Sequence, residues 1–373
     1  MAERLKNSFR VSFRKNDTTM KKLIFNIIIC TLFHTLQAQT IEGTVYDANT
    51  GKTIPGVVVY LDGTAIYTTS DTIGNFRLTV EQMSNTRLVF SHILYDIMVI
   101  ERPFEHSGKT FFLSEKINTI AELRVVADRY THADKMKLFR EQFLGKSAAG
   151  QSCVILNEDE IVLNYDQVTN RLMGYANSPI IIENRYLAYR ITYDLREFAI
   201  QYSENTLSMT KATRVSFKGT SSYVDQSPYN ILFATRREQV YLRSRQYFWK
   251  SFIARTLQED KFRIFNRLRQ IEPYEYFIVS SSPSQKIVAI IPDTNINRRH
   301  PYVNEGIVHG VIRVSWDNNP SSEIVFLTNR FSVDEFGNPD TIDNIIYFGE
   351  MGDQRIGDML PQDFVYTQTT SQR

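Results

Sequence analysis

Ile41-Glu-Gly-Thr-Val-Tyr-Asp-Ala-Asn-Thr-Gly-Lys-Thr-Ile-Pro-Gly-Val-Val-Val-Tyr-Leu-Asp-Gly-Thr64, followed after four residues by Thr69-Ser-Asp-Thr-Ile-Gly-Asn-Phe-Arg-Leu78, decides the fold of the front of this chain. Short runs of β-branched and aromatic residues are cut at regular intervals by Gly43, Gly51, Gly56, Gly63 and Gly74. That punctuation is the sequence pattern of a small antiparallel sandwich. Asn49-Thr-Gly51 suits a turn with positive φ at the glycine, and Pro55-Gly56 pre-sets a second bend. Working outward, seven strands are expected: 41–46, 57–61, 66–70, 75–79, 87–91, 95–100 and 109–113. Alternation places Val57, Val59 and Leu61 on the core face. Asp71 and Gly74 are read as turn formers, Asp71 through an Asx-type bond to nearby backbone.

With 373 residues the chain has room for two domains. The hydrophobic and charged fractions, 42% and 23%, are those of an ordinary globular protein. Aromatics are abundant, 24 Phe and 20 Tyr, which favours β-rich structure with large cores. A formal net charge of +2 gives no whole-chain electrostatic pull on a polyanion.

Lys21 and Lys22 precede the apolar run 23–33, and Leu36-Gln-Ala38 stands before Gln39. A basic start, a short apolar stretch and a small residue at the cut form a secretory signal, too short to span a bilayer stably. Met20 reads as the start of translation, with 1–19 an upstream extension. Cys30 follows Ile29 where lipid attachment needs a small residue, so lipidation is not expected. Loss of Cys30 leaves Cys153 alone, with no intramolecular disulfide possible and an apolar setting that suits an inert thiol. The expected organisation is 1–39 extension and signal, 40–115 β-sandwich, 116–130 linker and 131–373 a second, α+β domain.

The residues Gly43-Thr-Val-Tyr-Asp47, Gly51, Ile54-Pro-Gly-Val57, Gly63-Thr64, Thr69-Ser-Asp71 and Gly74-Asn-Phe76 resemble the carboxypeptidase-regulatory-like domain. The resemblance implies a transthyretin-like β-sandwich and the accessory, non-catalytic part of such enzymes. The segment from Leu113 to Val126 also resembles the one that follows this domain in TonB-dependent outer-membrane receptors. The helix patterns beyond it depart from the alternating strands of a receptor barrel.

The second region is expected to open on an amphipathic helix, 133–144, closed by Gly145. Strands follow at 153–156, 161–165, 180–183, 188–195 and 197–202. A long helix covers 235–258, and extended runs lie at 277–281, 287–291, 308–314, 324–327 and 342–347, with Glu335-Phe-Gly-Asn-Pro339 as a turn between the last two. The mixture reads as α+β with an antiparallel core. Phe139-Arg-Glu-Gln-Phe-Leu-Gly145, Cys153-Val-Ile-Leu-Asn157, Ile182-Glu-Asn184, Leu187-Ala-Tyr189, Ile191-Thr-Tyr-Asp-Leu195 and 349–361 resemble exported carboxypeptidase-like-regulatory-domain proteins of Gram-negative bacteria. That likeness implies architecture and brings no catalytic residues.

Chemical motifs are sparse. Gly145-Lys146-Ser147 imitates the end of a phosphate loop, but Arg140 stands where its first glycine is required, and the run closes a helix. His92, His106, His132, His300 and His309 form no His-Glu-x-x-His pattern, and no Gly-x-Ser-x-Gly elbow occurs. His300, Glu305 and His309 are the set whose convergence in a cleft would argue for a hydrolase. From Arg236 to Arg269 ten basic and three acidic residues interleave with Tyr241, Tyr247, Phe248, Trp249, Phe252, Phe262 and Phe265. Helical spacing puts these aromatics in the core and Arg243, Lys250 and Arg255 on a solvated basic face. No catalytic, cofactor-binding or metal-ligating residue is assigned. The expectation is a non-enzymatic exported binding or scaffolding protein of the cell envelope, in the periplasm or at the outer membrane. Its partner would be an envelope protein, a glycan or an anionic surface, and neither nucleic acid nor a transmembrane segment is expected. An uncharacterised hydrolase with its site in the C-terminal α+β region is the second reading.

Overall fold

Alternating burial builds the front half. The computed structural model describes residues 39–80, 86–116, 129–282, 285–291, 307–317, 322–340 and 344–366. The signal segment and most of the linker therefore lie outside the described residues. All seven expected strands are present: β1 (Gln39–Asp47), β2 (Val58–Leu61), β3 (Tyr67–Thr69), β4 (Asn75–Val80), β5 (Leu88–His92), β6 (Tyr95–Ile100) and β7 (Lys109–Leu113). They form two facing sheets, ordered β4-β1-β7 and β3-β2-β5-β6. Val57, Val59 and Leu61 are fully buried, as their alternation requires. Phe76, Phe90 and Phe111 fill the middle, with ring centroids 5.4, 5.7 and 4.6 Å apart in edge and tilted contacts. One pairing corrects the all-antiparallel expectation: β1 and β7 run parallel, because β7 returns over the 3-10 turn Pro103–His106.

The turns follow from their residues. Asp71 Oδ1 accepts from the backbone N–H groups of Ile73 and Asn75 at 3.0 and 2.8 Å, the expected Asx turn. Gly74 completes it at φ +77°, and a Cβ there would lie 2.7 Å from the Val45 carbonyl oxygen. Replacing Gly74 with valine combines left-handed strain with that collision. It should lower stability by roughly 1–3 kcal/mol, and a thermal melt equal to wild type would contradict it.

The second region is strand-rich. Helix α1 (His132–Phe143) starts at a capping box between Thr131 and Asp134 and buries Met136, Phe139 and Phe143. Short α2 (Ala148–Gln151) leads into β8 (Cys153–Ile155), β9 (Ile161–Asp166), β10 (Arg171–Ala176), β11 (Ile180–Asn184), β12 (Tyr189–Tyr202) and β13 (Ala212–Asp225). These strands pair antiparallel in the order β8-β11-β12-β10-β9, with β13 also on β12. The two strands expected at 188–195 and 197–202 are the single strand β12, bent by a bulge between Leu195 and Glu197. The expected helix 235–258 is two helices, α3 (Ile231–Tyr241) and α4 (Arg245–Ala254). Ser244 breaks it by capping α4, its Oγ accepting from Tyr247 N at 3.0 Å.

Beyond α4 come β14 (Phe262–Asn266), β15 (Arg269–Gln270), α5 (Pro273–Tyr276), β16 (Phe277–Ser281), β17 (Lys286–Ile290), β18 (Gly310–Trp316), β19 (Ser322–Phe326), β20 (Arg330–Val333), β21 (Ile345–Phe348) and α6 (Glu350–Asp353). They make two antiparallel sheets, β15-β14-β18-β19-β21 and β16-β17-β20. The aromatics of α4 bind these sheets: Phe248, Trp249 and Phe252 are fully buried, and Trp249 lies edge-on to Phe331 at 5.2 Å. The core assignment of Tyr241, Tyr247, Phe248, Trp249, Phe252 and Phe262 thus holds, while Phe265 is only partly buried.

Candidate functional site

Outside the two cores, a group of hydrogen bonds marks the seam where the sandwich meets β13. The turn after β2 makes it. Thr64 Oγ1 donates to the Leu61 carbonyl at 2.8 Å, and Gly63 takes φ +74°, which points the turn's amides outward. Gly63 N then donates to Ser221 O at 2.6 Å, and Tyr223 N donates to Thr64 O at 3.0 Å, so Thr64 bridges Ser222 like a short parallel strand. The chain's end closes the other side: Gln362 N donates to Gly63 O at 2.8 Å and Ala65 N to Asp363 Oδ1 at 2.9 Å. The outer edge of β13, a liability if left open, is covered by the sandwich at Ser221–Tyr223.

Charge is concentrated in this seam. Asp62, its side chain 15% exposed, accepts from Ser221 N at 2.8 Å and from Arg87 Nη2 at 2.5 Å. Burial nevertheless holds its carboxyl above the usual range, against those donors. Asp194, paired with Arg196, is pushed up by the same desolvation. The Tyr60 hydroxyl is hydrogen-bonded to Thr220 Oγ1 at 2.9 Å; burial raises it furthest, with the two carboxylates adding to that. Perturbed carboxylates in a cluster are the usual mark of a functional site. Here each is held by an arginine: Asp62 ties the sandwich to β13 through Ser221 N, while Asp194 and Arg196 pair within β12.

The residues singled out from sequence fall in three places. Gly145-Lys146-Ser147 is a structural corner: Gly145 ends α1 at φ +102°, and Ser147 Oγ accepts from Gly150 N at 2.9 Å and contacts the Asp358 carboxylate. Cys153 donates to the Ala149 carbonyl at 3.4 Å, and burial pushes its thiol up to about 12, with the Asp358 charge adding to it. A thiol so rarely ionised is a poor nucleophile. His309 opens β18, its backbone N–H bonded to Phe326 O at 2.8 Å, while His300 and Glu305 lie outside the described residues. Among the described residues no group of three or more His, Cys, Asp or Glu could hold a metal ion.

The expected basic face is split. Arg243 pairs with Glu350 at 3.4 Å and lies 5.8 Å from the Trp316 ring. Arg255 closes α4 in a left-handed conformation, φ 64°, and stacks 4.4 Å over Tyr274. Arg243 lies in the break between α3 and α4 and Arg255 caps the C-terminal end of α4, so the two do not sit on one helix.

An exposed apolar tip lies instead at the start of α3, ahead of the expected helix 235–258. Tyr229, Ile231 and Leu232 are 99%, 78% and 53% exposed. Asn230 caps the helix by accepting from Leu232 N at 3.0 Å, which holds the tip in place. Arg236 stacks 4.4 Å over Tyr186 and donates to its carbonyl at 3.3 Å, and exposed Arg185 adjoins it. The run Pro228-Tyr-Asn-Ile-Leu-Phe233 carried the signal: apolar residues straddle a cap without helical alternation.

Residues 41–125 match the family model of the CarboxypepD_reg-like domain, which covers the sandwich and continues into the segment after β7. No curated protein matches the chain. Among the described residues no helix is long and apolar enough to cross a membrane.

Proposed function

We propose that the protein is exported in a Gram-negative bacterium and acts without catalysis, as a binding or scaffolding protein at an anionic lipid surface of the cell envelope. The sandwich and the α+β region work as one body through the Asp62 seam, and the second region supplies the contact. The observation that supports this reading is the Tyr229–Leu232 tip, with Arg236 one turn further along α3 and exposed Arg185 next to its partner Tyr186. Aromatic and aliphatic side chains on a fixed helix start enter the headgroup boundary, while neighbouring arginines meet lipid phosphates. Export rests on the Lys21-Lys22 start and the Ala38 cut, and kinship with the front module of TonB-dependent receptors on Leu113–Val126.

Two measurements test this. Mass spectrometry of the mature protein is expected to find Gln39 at its N-terminus, and a mature form starting at Met1 or Met20 removes export. In flotation assays the protein should bind vesicles containing anionic lipid and bind purely zwitterionic ones weakly. Binding should fall as salt rises, because screening shortens to ~8 Å at physiological ionic strength. Changing Tyr229 and Ile231 together to serine should reduce binding about tenfold or more, given the apolar area withdrawn. Equal flotation of that variant, or none by the wild type, would sink the lipid reading.

A further inference from the structure

Two arginines of the second region show how this fold treats a desolvated guanidinium. Arg237, on α3, is fully provided for. Its Nη1 and Nη2 reach Asp225 at 2.6 and 2.7 Å, its Nε and Nη2 reach the Leu187 and Ala188 carbonyls at 2.8 and 3.2 Å, and its guanidinium carbon sits 4.0 Å over Tyr189. That is a structural arginine, with its donors matched.

Arg245 is built differently. It is the first residue of α4, held by the Ser244 cap. Its partly buried side chain leaves the helix towards β21, where the guanidinium carbon lies 5.1 Å from the Tyr347 ring centroid. The ring is a fixed platform, because Trp249, fully buried, donates from Nε1 to the Tyr347 hydroxyl at 2.7 Å. Against it the guanidinium has no hydrogen bond and no ion pair among the described residues. The nearby acids are engaged elsewhere: Glu350 with Arg243, and Asp358 with Ser147 and the Arg355 backbone N–H at 3.2 Å. Asp353 is exposed and bears on Arg355 rather than on Arg245.

The neighbouring charge is a second arginine. Arg355 is held in place by Nη1, which donates to Gly352 O at 2.6 Å and Gln354 O at 3.1 Å. The tight turn before it depends on Gly352, where a Cβ would lie 2.4 Å from Tyr347 O. Burial, and after it the Arg355 charge, lower the proton affinity of Arg245, while Tyr347 acts in the opposite sense. Asp353 and Asp358 both bear on Arg355, so of these two guanidiniums Arg245 is the one without a carboxylate among the described residues, and a bound anion would answer its charge.

We infer that Arg245, backed by Tyr347 and assisted by Arg355, binds an oxyanion, the carboxylate or phosphate group of a ligand. The free guanidinium fork matches such a group through two parallel N–H···O bonds, and a stacked, pre-oriented arginine suits that role better than lysine. The site is independent of the lipid-contacting tip.

The test uses the full mature chain and two probes, inorganic phosphate and acetate, titrated at constant ionic strength set with chloride. Trp249 reports directly through its bond to Tyr347, so tryptophan fluorescence and the melting temperature are read together. Saturable binding of either probe is expected. Phosphate alone saturating points to a phosphoryl ligand, and comparable acetate binding points to a carboxylate. Arg245→Met should weaken binding at least tenfold, and Arg245→Lys should recover part of it. Lysine keeps the fold's charge, so it serves as the comparison if the methionine variant is unstable: binding by Arg245→Lys equal to wild type would overturn the fork geometry. A response that is linear in probe, or identical in Arg245→Met, would overturn the site.

Discussion

Replacing Gly357 with alanine is expected to destabilise the second region by about 3 kcal/mol or more, since the added methyl meets backbone on every side. A Cβ at this position would lie 2.5 Å from Gly150 Cα, 2.5 Å from the Leu144 carbonyl oxygen and 2.9 Å from Gly150 N. Those atoms cannot swing aside as a side chain could. Gly357 N donates to Leu144 O at 3.0 Å, and Asn184 Nδ2 donates to Gly357 O at 2.9 Å, so the same residue is pinned from both faces. Gly150 is equally crowded against Leu144 and Gly145, and the corner is thus a stack of three backbone segments. Moving the 355–358 turn away would uncover Ile356, which is buried, and separate Asp358 from Ser147. Urea unfolding checks the prediction, with Gly108→Ala as the control: its φ of +76° adds a left-handed strain that Gly357 does not have, but no atom lies within 4 Å of the added Cβ. Equal losses in the two variants would show that the close approach is not what Gly357 provides.

How much of this was legible beforehand differs between the two halves for a physical reason. In the sandwich, each strand carries its own alternation, and each turn carries the glycine or aspartate it needs. Val57, Val59, Leu61, Asp71 and Gly74 therefore announce their places locally. In the second region several strands are stabilised by their partners. The sequence of β13 mixes Arg214, Lys218, Gly219, Ser221 and Ser222, and it is held by thirteen antiparallel residue pairs with β12 rather than by a buried face of its own. Short β10 was missed for the same reason. The helix break was readable, because Ser244 is an N-cap residue standing between two aromatic runs, but continuous helical spacing of the aromatics hid it. The seam, the exposed tip and the unpaired state of Arg245 depend on where other segments arrive, and no local pattern encodes that. Of His300, Glu305 and His309 only His309 belongs to the described residues, so their convergence lies outside them.

Asp62→Ala should cost about 3 kcal/mol, because it strips two donors at once in a partly desolvated seam. Ser221 N–H would lose its acceptor and Arg87 its carboxylate, while Gly63 and Thr64 would remain bonded to β13 through backbone. Asp62→Asn can still accept from Ser221 N and should be the milder change. The two also separate bonding from titration. Burial raises the Asp62 carboxyl above its ordinary value of 3.8. Between that value and the raised one, the folded chain binds more protons at this site than the unfolded chain. Its contribution to stability is therefore largest below 3.8 and is lost as pH rises through the folded value, the reverse of a carboxylate whose pKa is depressed. Asp194 and Asp363 are raised in the same sense, and Asp47 and Asp166 are lowered. The difference between wild type and Asp62→Asn isolates one group from this mixture. Urea midpoints measured from acid to neutral pH should show wild type gaining on Asp62→Asn as pH falls through the window. A difference that instead widened towards neutral pH would mean that the Arg87 pair, and not desolvation, governs the Asp62 charge. In that case the seam would be a salt bridge that strengthens on ionisation, and the joint between the domains would loosen rather than tighten in acid.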